Sequence, residues 1–322
     1  VSSFALDGRL FWNVPFFPLN GPDAAGQAAQ GYISQGVHLL KTYTEIAPEE
    51  LKAVVEAAHQ AGLPVIGHLG SIDARQAAEL GIDGLAHASG VALATIADPA
   101  KVQEMQAFET IGISVDYPHY LLYHAFMDEQ KAEALIQLLV QEGVALEPDL
   151  INTSARWAAQ HRDAYHAADE RLLRDPNLAY IPKNIAERIL YDQQIHSLTQ
   201  QEQELLKQGY ANLQRFLRRF VEAGGKLLAG SDTASFVLPG ISLHREMELF
   251  VEAGLSPMQA IQTATKNNAE FLRQQHVGTL AVGKQADLLI VNGNPLQDIR
   301  QTQAIHMVMK GGQVVELGYH HD

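Results

Sequence analysis

Four polar residues stand where short apolar runs end: Lys41, His68, His87 and Asp232. By the two-residue period of a strand, each shares a face with small or apolar neighbours. Leu39 accompanies Lys41, Ile66 accompanies His68, Leu85 accompanies His87, and Leu228 with Gly230 accompanies Asp232. A buried charge without a partner is very costly, so four such groups converging on one place call for a common partner. A divalent cation satisfies them together. Imidazole, carboxylate and water suit zinc or a similar ion. Such an ion brings the pKa of bound water toward neutrality, and an adjacent carboxylate can take the released proton and pass it to a leaving group. Taken singly, each residue also has an ordinary structural explanation. His68 or His87 reads as a hydrogen-bonded core histidine, Asp232 as a helix N-cap after Gly-Ser, and Lys41 as a snorkelling surface lysine.

The elements that must position these residues alternate between short apolar strands and helices, the pattern of a parallel α/β architecture. Val37–Tyr43 reads as a strand, followed by a helix from Pro48, with Pro in its first turn, to a stop at Gly62. Leu63–His68 is a strand, about Asp73 to Leu80 a helix, and Gly84–His87 a strand. Ile111–Asp116 and Gly143–Pro148 read as strands that bracket a helix over about Asp128–Glu142. A polar helical insertion over about 152–222 precedes the buried strand Gly225–Asp232, and helices follow around Leu243–Ala253 and Pro257–Arg273. In parallel barrels the active site lies at the carboxyl ends of the strands, where all four polar residues fall. The tail differs: Ala286–Val291, Ile305–Lys310 and Gln313–Val315, separated by turn glycines, read as short antiparallel strands. The expected architecture is a TIM-type (β/α) barrel over 1–275, lacking its first strands, with a small β-domain over 276–322.

The 322 residues and 47% hydrophobic content suffice for one large, well-buried, soluble domain plus an appendage. With 37 acidic against 23 basic residues the net charge is -14, which repels phosphate backbones and anionic lipid and argues against nucleic-acid or membrane-surface partners. No cysteine is present, so thiolate ligands, thiolate nucleophiles and disulfides are excluded. No apolar run approaches the length of a membrane span. The opening Val1–Leu6 lacks the basic and apolar regions of a signal peptide and reads as the middle of something.

Longer stretches resemble the amidohydrolase superfamily. Ala57-Ala58-His59-Gln60-Ala61-Gly62-Leu63-Pro64-Val65-Ile66-Gly67-His68 is similar to its fifth-strand region, and Ala77–His87 to its sixth. Gly230-Ser231-Asp232-Thr233 resembles the strand-8 aspartate motif, Glu246–Pro257 the segment after it, and Gly278-Thr279-Leu280 with Gly283–Leu288 the tail signature. Gly36–Lys41 is similar to the fourth strand of the imidazolonepropionase-like and Xaa-Pro dipeptidase-like branch. The resemblance implies a carboxylated Lys41 bridging two metals, His68 and His87 on one of them, and Asp232 on the other as proton acceptor. The family's His-x-His pair occurs nowhere in the chain. Counted against the family, the chain is expected to begin near the third barrel strand, at Phe4–Trp12, with one or two zinc or similar ions.

Tyr117 and His119, beside Tyr120, Tyr123 and His124, are candidates to line a substrate pocket, as is His244 just beyond Asp232. A surface or lid role serves the first group equally, and a helix-cap neighbourhood the last. Ser231 lies in no Gly-x-Ser-x-Gly elbow. The expected activity is hydrolysis of an amide, peptide, ester or lactone bond in a small molecule by a homo-oligomer. The alternative is a catalytically silent barrel remnant acting as a binding or structural partner.

Overall fold

The computed structural model describes residues 6–7, 17–110, 121–152, 159–179, 181–192, 199–233 and 237–316. Six short strands form a parallel sheet: β1 (Leu6–Asp7), β2 (Phe17–Pro18), β3 (Leu40–Thr42), β4 (Val65–Gly67), β5 (Gly84–Ala86) and β6 (Ala145–Glu147). Their order is β2-β1-β3-β4-β5-β6. Lys41 stands opposite Ile66, Ile66 opposite Gly84, and Glu147 opposite Ala86. The β3, β4, β5 and β6 strands are each three residues long and almost wholly buried, as parallel strands covered by helices are. Among the described residues this order does not return on itself.

The helices form where the sequence supplies both a start and an apolar stripe. Pro48–Gln60 opens on proline, and Leu51, Val54, Val55 and Ala58 fall at helical spacing and are buried. Glu50 joins it to the preceding helix, accepting hydrogen bonds from Ala47 N at 2.9 Å and Gly21 N at 2.8 Å. Asp73 and Asp128 cap the starts of Ala74–Glu79 and Glu129–Gln141 with side-chain oxygens. The Gln200–Glu222 helix drives Phe216 and Phe220 into the core, and Ile241–Glu252 adds Phe250. Ala159–Leu172 and Lys183–Asp192 supply the rest of the helical stretch expected between 152 and 222.

Two expected elements take another form. Gly225–Asp232 makes a single parallel bridge, Leu146 to Leu227, rather than a ladder. Its other side is met by helix termini: Ala229 N donates to Thr263 O, and the Asn267 and Asn268 amides donate to Leu227 O and Ala229 O. The helix from Pro257 carries a π turn over Thr263–Asn267, and the three bonds leave from that turn or the residue after it. The expected strand Ile111–Asp116 lies outside the described residues.

The tail folds as expected into an antiparallel sheet of β7 (Leu288–Val291), β8 (Ile305–Lys310) and β9 (Gln313–Val315). Leu289 and Val314 stay half-exposed or more. Among the described residues no helix is long and apolar enough to cross a membrane.

Candidate metal centre

Successive strand ends are stitched together before any ligand is added. His68 N donates to Thr42 O, and Ala88 N donates to the carbonyl of Glu147. Ser89 accepts from Leu69 N at 2.8 Å, tying the turn after β5 to the turn after β4. These bonds draw the residues just past β4, β5 and β6 into one cluster at the carboxyl end of the sheet.

His68 and His87 meet edge to face with ring centroids 4.4 Å apart, and Tyr43 packs against His68 at 4.8 Å. His87 Nδ1 lies 2.9 Å from Asp149 Oδ2, yet that nitrogen makes no hydrogen bond. Its side chain is 10% exposed and that of Asp149 1%. His87, Asp149 and Asp232 each present one donor atom within 4.8 Å of the others. Asp232 stands at the exposed rim, its Oδ2 accepting a hydrogen bond from Asn152 Nδ2 at 3.0 Å.

All three hold left-handed backbone conformations, with φ of 60° at His87, 53° at Asp149 and 39° at Asp232. Such values are uncommon outside glycine and cluster where surroundings over-determine them. Glu246, fully buried, accepts from Leu150 N at 2.9 Å and Ile151 N at 2.8 Å, so the turn carrying Asp149 is fixed from the helix beneath.

Charge is concentrated here. Burial pushes the Lys41 ammonium down, opposed by the carboxylates of Glu147, Asp232 and Asp149. Burial raises Glu147 well above the carboxylate range, and Asp149 reinforces it. His68 is held well below the ordinary histidine value by burial, then by His87 and Lys41. Gly230 makes room for this arrangement: a Cβ there would lie 1.5 Å from Glu147 Oε1.

The donor set fits a divalent ion. It offers one imidazole nitrogen and two carboxylates, and the buried His87 Nδ1 facing an oxygen without a hydrogen bond is what a shared cation would occupy.

Of the residues singled out from sequence, His87 and Asp232 join this triad, His68 packs on His87, and Lys41 lies among the same carboxylates. His244 has its Nδ1 3.0 Å from Thr302 Oγ1. Tyr117 and His119 lie outside the described residues. Asp149, Glu147 and Glu246 were missed as site residues. The signal for the first two was available: Glu147-Pro148-Asp149 ends an apolar strand just as the other candidates do.

A model described as "Amidohydrolase family" matches residues 40–315. An ochratoxinase of Aspergillus niger is 32% identical over 123 residues, covering 34% of this chain and 25% of that protein. An adenine deaminase of Methanococcoides burtonii is 26% identical over 224 residues, covering 65% of this chain and 36% of that protein. Among solved structures, a Xaa-Pro dipeptidase with methionine in its active site superposes with a TM-score of 0.58 at 22% identity, covering 93% of this chain and 59% of that one. At that identity the likeness speaks for the fold. The chain spans less than two thirds of the length of each.

Proposed function

The chain belongs to the amidohydrolase family, and from that premise we propose that it is a metal-dependent hydrolase of small molecules, cleaving an amide, peptide, ester or lactone bond. The observation that carries this reading is the convergence of His87, Asp149 and Asp232 at the sheet's carboxyl end. These residues would hold zinc or a similar ion, with His68 and Lys41 extending the donor set, Lys41 as a carboxylated lysine, for one or two ions in all. Such an ion supplies Lewis acidity, which polarises the scissile group and makes water nucleophilic near neutral pH.

The chain's own residues do the rest. Asp232, at the rim and oriented by Asn152, accepts the proton of the attacking water and returns it to the leaving atom. Tyr43 packs edge to face on His68 and helps to hold that ring beside His87. Tyr117, His119 and His244 are the candidates for substrate contacts. Residues 1–275, with the insertion at 152–222, form the (β/α)-barrel hydrolase domain, and 276–322 the small β-domain. A relative named for deamination of adenine and a neighbour named for Xaa-Pro dipeptides both support small substrates. A homo-oligomer would cover apolar side chains such as Val282 and Val314.

The test is metal content by elemental mass spectrometry on protein purified without chelator. About one to two ions per chain, lost in His87→Ala, support the reading. Protein that stays metal-free after incubation with zinc and bicarbonate overturns it.

A further inference from the structure

We propose that Glu246 is the positioning residue of the metal centre, setting Asp149 through the amides of Leu150 and Ile151, and Asp232 through Asn152. The inference rests on the reading that His87, Asp149 and Asp232 hold a metal ion.

Glu246 is fully buried on the Ile241–Glu252 helix and spends its two oxygens on consecutive amides, Leu150 N and Ile151 N. Two successive N–H groups converge on one carboxylate where the chain turns just before them. Asp149, with φ of 53°, makes that turn, and Asn152 N donating to Asp149 O at 3.0 Å closes it. The same turn presents the Asn152 amide to Asp232 Oδ2. One carboxylate anchored on a helix therefore supports two carboxylates that approach each other from different segments of the chain.

Mere anchoring of the helix needs no ion. A neutral hydrogen-bond acceptor would serve the two amides, and burying a carboxylate beside Asp149 is costly. The neighbouring Arg245 directs its guanidinium to Asp169 at 2.6 Å instead. A buried carboxyl group in this place gains its use when a cation binds on the far side of the turn. Outer-sphere partners of this kind orient ligands and change metal affinity when removed.

The experiment compares wild type, Glu246→Gln, Asn152→Ala and Asp149→Ala. Zinc affinity is read by chelator competition, the visible spectrum after cobalt(II) loading, and thermal melts without metal. Glu246→Gln is expected to weaken zinc binding about tenfold to a hundredfold and to shift the cobalt bands. In the Asp149→Ala background the same substitution is expected to change affinity far less. Asn152→Ala, which leaves Glu246 in place, is expected to shift the cobalt bands too and keeps the test open should Glu246→Gln not fold. Zinc binding and cobalt bands unchanged in both variants overturn the inference while leaving the metal reading intact. Wild-type protein that binds no zinc overturns both.

Discussion

His87 Nδ1 faces Asp149 Oδ2 across 2.9 Å, and both residues hold left-handed backbone. The ring nitrogen and the carboxylate oxygen are kept that close although the nitrogen makes no hydrogen bond. Asp149→Asn preserves shape and removes one anionic donor. Zinc affinity should fall by more than the roughly tenfold to hundredfold typical of an outer-sphere partner. Chelator competition reads this directly, and an affinity equal to wild type would remove Asp149 from the donor set.

Lys41 sits in the middle of a buried strand, where its ammonium is disfavoured by desolvation. The neutral amine is the form that takes up carbon dioxide. Intact mass spectra recorded in bicarbonate should show one added carbon dioxide per chain, absent in Lys41→Arg. An unmodified mass in metal-loaded protein would leave Lys41 as a plain amine.

Gly230 and Glu147 compete for one volume, since a Cβ at 230 would meet Glu147 Oε1 at 1.5 Å. Gly230→Ala should destabilise the protein by about 1–3 kcal/mol through overpacking. Removing the obstacle with Glu147→Ala in the same chain should recover most of that loss. Denaturant melts of the two single variants and the double variant form the cycle. Strict additivity would show that the two side chains do not share the space.

His124 is 2% exposed, its Nδ1 has no hydrogen bond, and burial lowers its pKa to about 4. The folded value lies below the unfolded one of 6.5, so the unfolded chain binds the proton more readily. The contribution to stability is complete above pH 6.5 and is lost as pH falls from there toward 4. A gap of that size corresponds to about 3 kcal/mol. Metal-free His124→Leu should lose less stability between pH 7 and 4.5 than wild type, by roughly that amount, in urea melts at the two pH values. Parallel pH dependences would assign the acid sensitivity to other groups.

Arg245 and Asp169 form a buried pair, 6% and 2% exposed, that ties the Ala159–Leu172 helix to Ile241–Glu252. Asp169→Ala strands the guanidinium, which also lies over the Tyr165 ring. A loss of about 3–5 kcal/mol is expected, with protease cleavage appearing first within 159–192. A loss under about 1 kcal/mol would mean that water reaches Arg245.

Period-two patterning made Lys41, His68, His87 and Asp232 readable, because each ends an apolar run. Asp149 obeys the same rule, but Pro148 before it reads as the close of a strand, and its role comes from the left-handed turn that carries it past β6. Glu246 sits among helical residues, where a glutamate is ordinary. Nothing in its neighbours tells that it lies 95 and 96 residues from the amides it serves. The turn glycines of the tail announced β7 to β9. The strand expected at 225–232 fell short because the π turn at Thr263–Asn267 meets its outward groups, and no local pattern reveals that partner.

The left-handed conformations of His87, Asp149 and Asp232 bear on more than geometry. Each costs about 1 kcal/mol or more relative to relaxed backbone, so the fold carries a standing conformational cost around this cluster. An ion that binds only the folded chain offsets that cost by mass action. If the cluster holds a divalent ion as proposed, the melting temperature should rise with the concentration of free metal.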